Sequence, residues 1–519
     1  SRLCDAACYQ TRRKFVFINL QMLRFNFKVI LHIIGVLLLF NGGLMLLAAV
    51  TSWLMKDGVT FELTLSAFLV MITGGFMMLV SRNHEAQIQK REGYLIVSLG
   101  WVLMTLTGMT PFLLTDSIQD LPSVFFETMS GYTATGSTIL NDIEALPAGI
   151  LFWRSMTHWI GGMGIIVLAI AILPLLGIGG MQLFTAEAPG PNSDKLHPRI
   201  TDTAKRLWLI YVSYTLAETL LLYVAGMSLF DAVNHAMSTM ASGGFSTKNA
   251  SLAHWNHLPW VHYIIIVFMF LAGSNFVLSY FAFTGKFKKI FQDDEFLTFA
   301  KFIFVFSIIV FIVLITQVDL TRDSFDHPQV WGKVESSLRH SFFQVLAIVT
   351  TTGFVTADYT AWRPFMTIFF FGLMFLGGSA GSTSGGIKVV RHLLMIKSGF
   401  LEFKRALHPN AIIQSRYNGK EVSKEIIGNI LGFFILYMIS FIIGSLVFGL
   451  MGLDFENAIG VAASSLGNVG PAIRNFGPAS NFSELPSLGK YWSSFLMLMG
   501  RLELFTVLIL FTPFFWKKN

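Results

Sequence analysis

The sequence predicts an all-α membrane protein in which ten transmembrane helices and four re-entrant pore helices form a pseudo-fourfold repeat of helix, pore loop, helix units around one central pore. Three observations lead there: an apolar composition, ten apolar runs of spanning length, and one short pattern that recurs four times. Of the 519 residues, 54% are hydrophobic and only 13% charged, more apolar surface than a soluble fold of this size can hide in its core. Cys4 and Cys8 are the only cysteines, so neither a disulfide framework nor a thiolate metal site is available.

Runs able to cross ~30 Å of hydrocarbon as helices lie at about 29–54, 61–80, 94–114, 151–176, 207–227, 260–284, 298–316, 365–395, 425–450 and 492–515. Alternate loops and the two ends carry 26 Lys/Arg and the opposite loops 8. The positive-inside rule therefore expects both termini in the cytoplasm, and the net charge of +7 reads as an orientation signal with no nucleic-acid partner implied. The polar residues 1–21 have no signal-peptide cleavage pattern.

Self-similarity is the more informative feature. SVFFETMSGYTATGSTIL, LFDAVNHAMSTMASGGFSTKN, LRHSFFQVLAIVTTTGFVTAD and LDFENAIGVAASSLGNVGPAI lie between runs three and four, five and six, seven and eight, and nine and ten. Each reads as a half-length helix followed by a small-residue turn around Gly136, Gly244, Gly353 or Gly470, with spacings of 108, 109 and 117 residues. Non-helical backbone at membrane depth is tolerated only where it is buried in protein or lines water, so four such loops on one side imply a shared aqueous path. Close helix packing explains single motifs such as Gly161 with Gly164, but not four recurrences.

In TATGS, ASGGF, TTTGF and NVGPA, glycine permits positive φ and lets carbonyl oxygens converge. Carbonyl rings replace the hydration shell of a monovalent cation without a fixed charge that would hold it too tightly. No acid stands in these turns, which argues against a calcium pathway. Asp116, Asp120, Glu127, Asp142 and Glu144 fall in a stretch without Lys or Arg, and such a cluster can concentrate cations at a mouth.

The four turns, the two additional N-terminal helices and an interruption in the eighth run resemble the Trk/Ktr/HKT superfamily of potassium transporters, closest to its TrkH group, over about residues 28–516. The resemblance implies a degenerate selectivity filter, here at Thr135, Gly136, Gly243, Gly244, Thr352, Gly353, Asn468, Val469 and Gly470, with K+ as the transported ion and no covalent cofactor. Gly136 favours potassium over sodium by the same resemblance. The fourth turn departs most from the rest, since Pro471 follows its glycine. The alternatives within the superfamily are sodium/potassium symport and a non-selective monovalent cation channel.

The interruption, GGSAGSTSGG at 377–386, has five glycines in ten residues, each costing about 0.8 to 1 kcal/mol in a helix relative to Ala. It is expected to be an irregular intramembrane loop. A phosphate-binding loop is excluded because Ile387 stands where the motif needs Lys. The resemblance makes this loop a gate, formed by Gly378, Ser379, Gly381, Ser382, Gly385 and Gly386, with Arg501 limiting permeation beside it. Gly273-Ser274, Gly378-Ser379 and Gly500-Arg501 follow their turn glycines by 29, 25 and 30 residues, which puts Arg501 near the depth of the loop. An ion pair of Arg501 with Glu503 or Glu218 is the structural alternative.

His158 and Lys301 are expected near span ends, snorkelling. His235 and His340 are expected as packing or capping groups, because neither has a second ligand at i+4. The absence of a converging His/Asp/Glu motif argues against an enzyme, and repeats of one orientation argue against an inverted-repeat transporter. The chain divides into a cytoplasmic segment 1–27, two additional helices in 28–92, and repeats at 93–204, 205–295, 296–422 and 423–519. The resemblance further implies a homodimer in the lipid of the cell inner membrane and a cytosolic, TrkA-like nucleotide-binding ring, for which the basic stretches 388–424 and 177–206 offer docking surfaces.

Overall fold

The computed structural model describes residues 25–82, 90–164, 200–320, 324–410 and 414–517. The expectations placed on 1–24, on the second half of the fourth run and on most of 177–206 lie outside the described residues. Among the described residues, six helices are long and apolar enough to cross a membrane: Phe27–Met55, Thr60–Val80, Arg91–Leu114, Lys205–Val224, Asp294–Gln317 and Lys424–Leu450. Large apolar side chains such as Phe61, Ile72, Leu446 and Leu450 project outward from them. An apolar exterior of this extent is matched to lipid.

The sixth and tenth runs, expected as continuous spans, are each broken. Pro259–Gly273 and Phe276–Phe283 meet at 108°, and Ser487–Arg501 and Phe505–Phe511 at 112°. At the first bend Ser274 turns extended and Asn275 caps the following helix by accepting from the Val277 N–H. At the second, Glu503 and Leu504 take positive φ, which ends a right-handed helix. Counting each bent pair as one span gives eight. The eighth run is Pro364–Leu373, an irregular stretch, then Val389–Leu407, and the fourth begins as Ala148–Trp159 followed by a π turn, Ile160–Gly164.

The first two helices pack closely because glycines face backbone: a Cβ on Gly35 would sit 2.7 Å from the Gly74 oxygen, and one on Gly42 would sit 2.9 Å from the Ala67 oxygen. Asn41 ties this pair to the rest by accepting the Tyr132 hydroxyl at 2.8 Å.

Four short helices lie between the longer ones: Leu121–Tyr132, Leu229–Met240, Lys333–Val349 and Phe455–Gly467. At 12, 12, 17 and 13 residues they rise about 18 to 26 Å, short of a bilayer core. Asp120 and Ser228 cap the first two. Among the described residues the secondary structure is helical apart from one hairpin, Arg416–Tyr417 with Lys420–Glu421, turned by Asn418 and Gly419 at φ 47° and 74°. Asn418 fastens it to Asp293 and Asp294.

Candidate functional site

Each short helix runs into a turn of the same construction. The N–H groups of Ala134, Ser242, Thr351 and Asn468 donate back to the carbonyls of Gly131, Thr239, Ile348 and Ser465 at 3.0, 2.9, 3.0 and 3.4 Å. These four residues have φ of 50°, 56°, 55° and 53°, and the glycines two positions on, Gly136, Gly244, Gly353 and Gly470, have 84°, 79°, 72° and 103°. Alternating handedness over three residues gathers N–H groups on one side and carbonyls on the other. Thr135, Gly243, Thr352 and Val469 are the residues between.

The turns touch in a closed cycle. A Cβ on Gly136 would overlap the Gly243 oxygen, on Gly244 the Thr352 oxygen and on Gly353 the Val469 oxygen, and on Gly470 it would lie 2.9 Å from the Thr135 oxygen. Only glycine meets both the conformation and the contact at these points. The fourth turn shares this backbone but differs in the side chains that bond it. The Gly470 carbonyl accepts the hydroxyls of Ser464 at 2.7 Å and Ser137 at 2.8 Å, which occupies both its lone pairs. Asn468 donates its amide to Thr135 Oγ1 and the Met497 carbonyl, both at 2.9 Å.

Against these turns lies the 377–386 loop. Gly377 and Val389 N–H groups close its neck on the carbonyls of Ile387 and Gly378. Gly381 and Gly386 have positive φ. Ser379 N–H donates to Gly273 O at 2.8 Å, the Gly381 carbonyl accepts from Phe276 N–H, and Gly385 N–H donates to Thr351 Oγ1 at 2.6 Å. Thr383 Oγ1 meets Ser242 Oγ at 2.9 Å. A Cβ on Gly378 would collide with Ser384, and one on Gly385 would lie 2.7 Å from the Gly467 oxygen. Ser382 closes a local turn on the Ser379 carbonyl. Glu295 clasps the loop by accepting from the N–H groups of Ala380 at 2.7 Å and Val390 at 3.2 Å. Arg501 donates to the carbonyls of Thr383 at 2.7 Å, Gly161 at 2.6 Å and Gly162 at 2.5 Å, joining the loop to the first repeat, while Glu503 receives Arg391.

A profile of the TrkH family, described as cation transport protein, matches residues 60–518. The chain belongs to the TrkH family. It is 38% identical over 496 residues to the Trk system potassium uptake protein TrkH of Escherichia coli strain K12, covering 95% of this chain and 100% of that one. The TrkH protein of Halomonas elongata is 38% identical over 499 residues, with the same coverage. The crystal structure of the potassium transporter TrkH from Vibrio parahaemolyticus superposes with a TM-score of 0.84 at 35% identity, covering 95% of this chain and 100% of that chain.

Behind the turns of this TrkH-family chain stand polar residues whose partners the sequence pattern did not reveal. Glu127 was expected among acids at a mouth, but it is buried and paired with Arg154 at 2.6 Å. It also accepts from Thr138 Oγ1 and the Ile139 N–H at 3.0 Å. Arg154 continues to the Ser246 carbonyl and lies over the Phe245 ring. Nine positions before its glycine, each of the first three repeats carries a polar group bound to a hydroxyl just after it: Glu127 to Thr138, His235 to Ser246 at 2.9 Å, and Gln344 to Thr356 at 3.3 Å. The fourth has Val461 there and uses Ser464 instead.

Three of the remaining acids are also engaged. Asp120 caps its helix and is held below the usual carboxylate range first by the Ser123 hydroxyl. Asp142 is lowered chiefly by the Asn249 amide, and Glu144 pairs with Lys248. Asp116 is exposed. His158 does not snorkel: it is fully buried, bonds Ser238 Oγ at 2.8 Å and stacks on Phe245 at 3.9 Å. Lys301 is exposed on the helix Asp294–Gln317. Among the described residues no group of three or more His, Cys, Asp or Glu could hold a metal ion, so a conventional metal-binding site has no support. Gly161 is tightly packed, since a Cβ would overlap the Tyr132 carbonyl. Its π turn also presents the carbonyls that Arg501 uses, because widening the helix frees acceptors from the i−4 ladder.

Proposed function

We propose that the chain carries potassium inward across the cell inner membrane through one central pore, filtered by the four glycine turns and gated by the 377–386 loop with Arg501. The observation that carries this reading is the closed cycle of contacts among four turns of like backbone construction, in a family whose named relatives are potassium uptake proteins. Backbone carbonyls at Thr135, Gly136, Gly243, Gly244, Thr352, Gly353, Asn468 and Val469 replace water around a dehydrated K+. The Gly470 carbonyl, bound by two hydroxyls, serves the frame of the fourth turn.

In this reading each repeat supplies two spans, one of them bent or interrupted, and one re-entrant helix, and the two additional helices bring the spans to ten. Both termini are cytoplasmic, following the distribution of Lys and Arg. The loop closes the path below the filter, and the Arg501 guanidinium adds a fixed positive charge in a low-dielectric surround. The relatives are named as parts of a Trk system. We take this chain to work as a homodimer with a TrkA-like nucleotide-binding ring against the basic stretch 388–424.

Ion uptake into vesicles reconstituted with the purified protein tests the reading. Potassium and rubidium are expected to enter far faster than sodium and lithium. Equal uptake of all four ions would overturn the selectivity assignment, and uptake of potassium only with sodium present would favour symport.

A further inference from the structure

We infer that Glu127 and Arg154 form a positioning pair that fixes the second turn against the first and so sets how sharply the protein discriminates between cations. The inference rests on reading these turns as parts of the filter. Glu127 stands on the short helix Leu121–Tyr132, and Arg154 on Ala148–Trp159, the helix that follows the first turn. Each side chain holds the limb beyond a turn glycine. Two residues past Gly136, Thr138 donates its hydroxyl to Glu127 Oε1 at 3.0 Å, and the next N–H, that of Ile139, donates to Oε2 at 3.0 Å. Two residues past Gly244, the Ser246 carbonyl accepts from Arg154 Nη1 at 2.9 Å, while Arg154 Nε donates to Glu127 at 2.6 Å.

One guanidinium therefore spans two repeats. Within its own repeat Ser246 is held by its hydroxyl, which lies 2.9 Å from His235 Nε2, and Arg154 adds a hold on its carbonyl from the first repeat. The guanidinium carbon also lies 3.5 Å from the centre of the Phe245 ring, and His158, one turn further along the same helix, stacks on that ring at 3.9 Å. The two turns touch directly as well, since a Cβ on Gly136 would overlap the Gly243 oxygen. A shift of Ser246 relative to Glu127 thus moves the Gly243 carbonyl relative to the first turn.

Stability alone does not account for the pair. Glu127 and Arg154 are 1% and 2% exposed. Taking both charges out of water costs about as much as their attraction returns, and an apolar pair of like volume would brace the fold as well. What the charges add is direction. A planar guanidinium donates along fixed lines, and charged hydrogen bonds are short and oriented, the more so where water is excluded. Discrimination by the placement of carbonyls depends on such fixity. The anchors of the third and fourth turns, Gln344 to Thr356 and Ser464 to the Gly470 carbonyl, are neutral.

The test is the rubidium-to-sodium uptake ratio of the full-length protein in vesicles, with the thermal midpoint read on the same preparation. Arg154→Lys keeps a positive charge for Glu127, but one ammonium cannot reproduce the two directions of the guanidinium, and the ratio is expected to fall about ten-fold. Thr138→Val deletes one hydroxyl from the Glu127 cluster and is expected to lower the ratio about three-fold, and Thr138→Ser, which restores the hydroxyl, to return it to the parental value. Thr138→Val is decisive if Arg154→Lys does not fold. Either folded variant with the parental ratio, whatever its midpoint, would overturn the inference and leave the pair a structural brace, as would a fall in Thr138→Val that Thr138→Ser does not reverse. A parent that admits rubidium and sodium alike is a separate outcome, which removes the filter reading itself.

Discussion

The four turns and the interrupted loop beneath them are both glycine-rich and irregular, yet they are held in different ways. Each turn is fixed by its own repeat, through a backbone bond to the preceding short helix and a polar anchor behind it, and each glycine is wedged against the carbonyl of the next turn. The loop is held largely by other elements: Glu295 and Phe276 from the second repeat, Thr351 from a turn, and Arg501 from the tenth run. A part whose geometry is local and sterically locked suits discrimination between ions that differ in radius by tenths of an ångström. A part clasped by a few side chains can release as a unit.

Breaking the first kind of restraint has the largest expected effect. Gly136→Ser sets a Cβ against the Gly243 carbonyl at a φ that L-residues adopt at a cost of about 1 to 2 kcal/mol, with overpacking of about 1 to 3 kcal/mol added. Potassium-over-sodium discrimination in vesicle uptake is expected to drop by about ten-fold or more. An intact ratio in a well-folded variant would remove this turn from the filter.

Arg501→Ala removes three donated hydrogen bonds from the loop and the first repeat, each charged bond contributing about 1.5 to 3 kcal/mol without strict additivity. Rubidium uptake is expected to rise several-fold at little change in the rubidium-to-sodium ratio. Thermal unfolding of the same preparation separates the possible roles: a lower midpoint with no gain in flux would make Arg501 a structural brace.

Glu295→Gln is the mildest change. An amide oxygen still accepts from Ala380 or Val390, but more weakly than a carboxylate, so uptake is expected to rise about two-fold or less, again with the ion ratio preserved. A shift in the ratio would mean that the clasp reaches the filter.

Much of this difference is legible in the sequence because glycine leaves a mark. Gly136, Gly244, Gly353 and Gly470 stand at a near-regular period, and five glycines in ten residues announce the loop. The bends at Ser274 and at Glu503-Leu504 leave little trace, since each stands within a few residues of a single glycine, Gly273 or Gly500, with no proline to mark it. Glu127 reads as a solvated acid because its partner Arg154 is 27 residues away. His158 reads as a span-end group because its partner Ser238 lies in another repeat. Such pairings exist only once the repeats assemble. The hairpin at Asn418-Gly419 had its turn signal in the sequence, but strands of two residues are too short to show a period.

The most direct measurement compares flux and selectivity in one loop-shortened protein. Deleting part of 378–385 removes the segment that Arg501 and Glu295 hold while leaving every residue of the four turns in place. Rubidium uptake into vesicles is expected to rise by about an order of magnitude, the scale of one lost charged hydrogen bond, with the potassium-to-sodium ratio unchanged. A folded deletion protein that conducts no faster, or one that conducts faster and loses its discrimination, would contradict the division between a locked filter and a releasable gate.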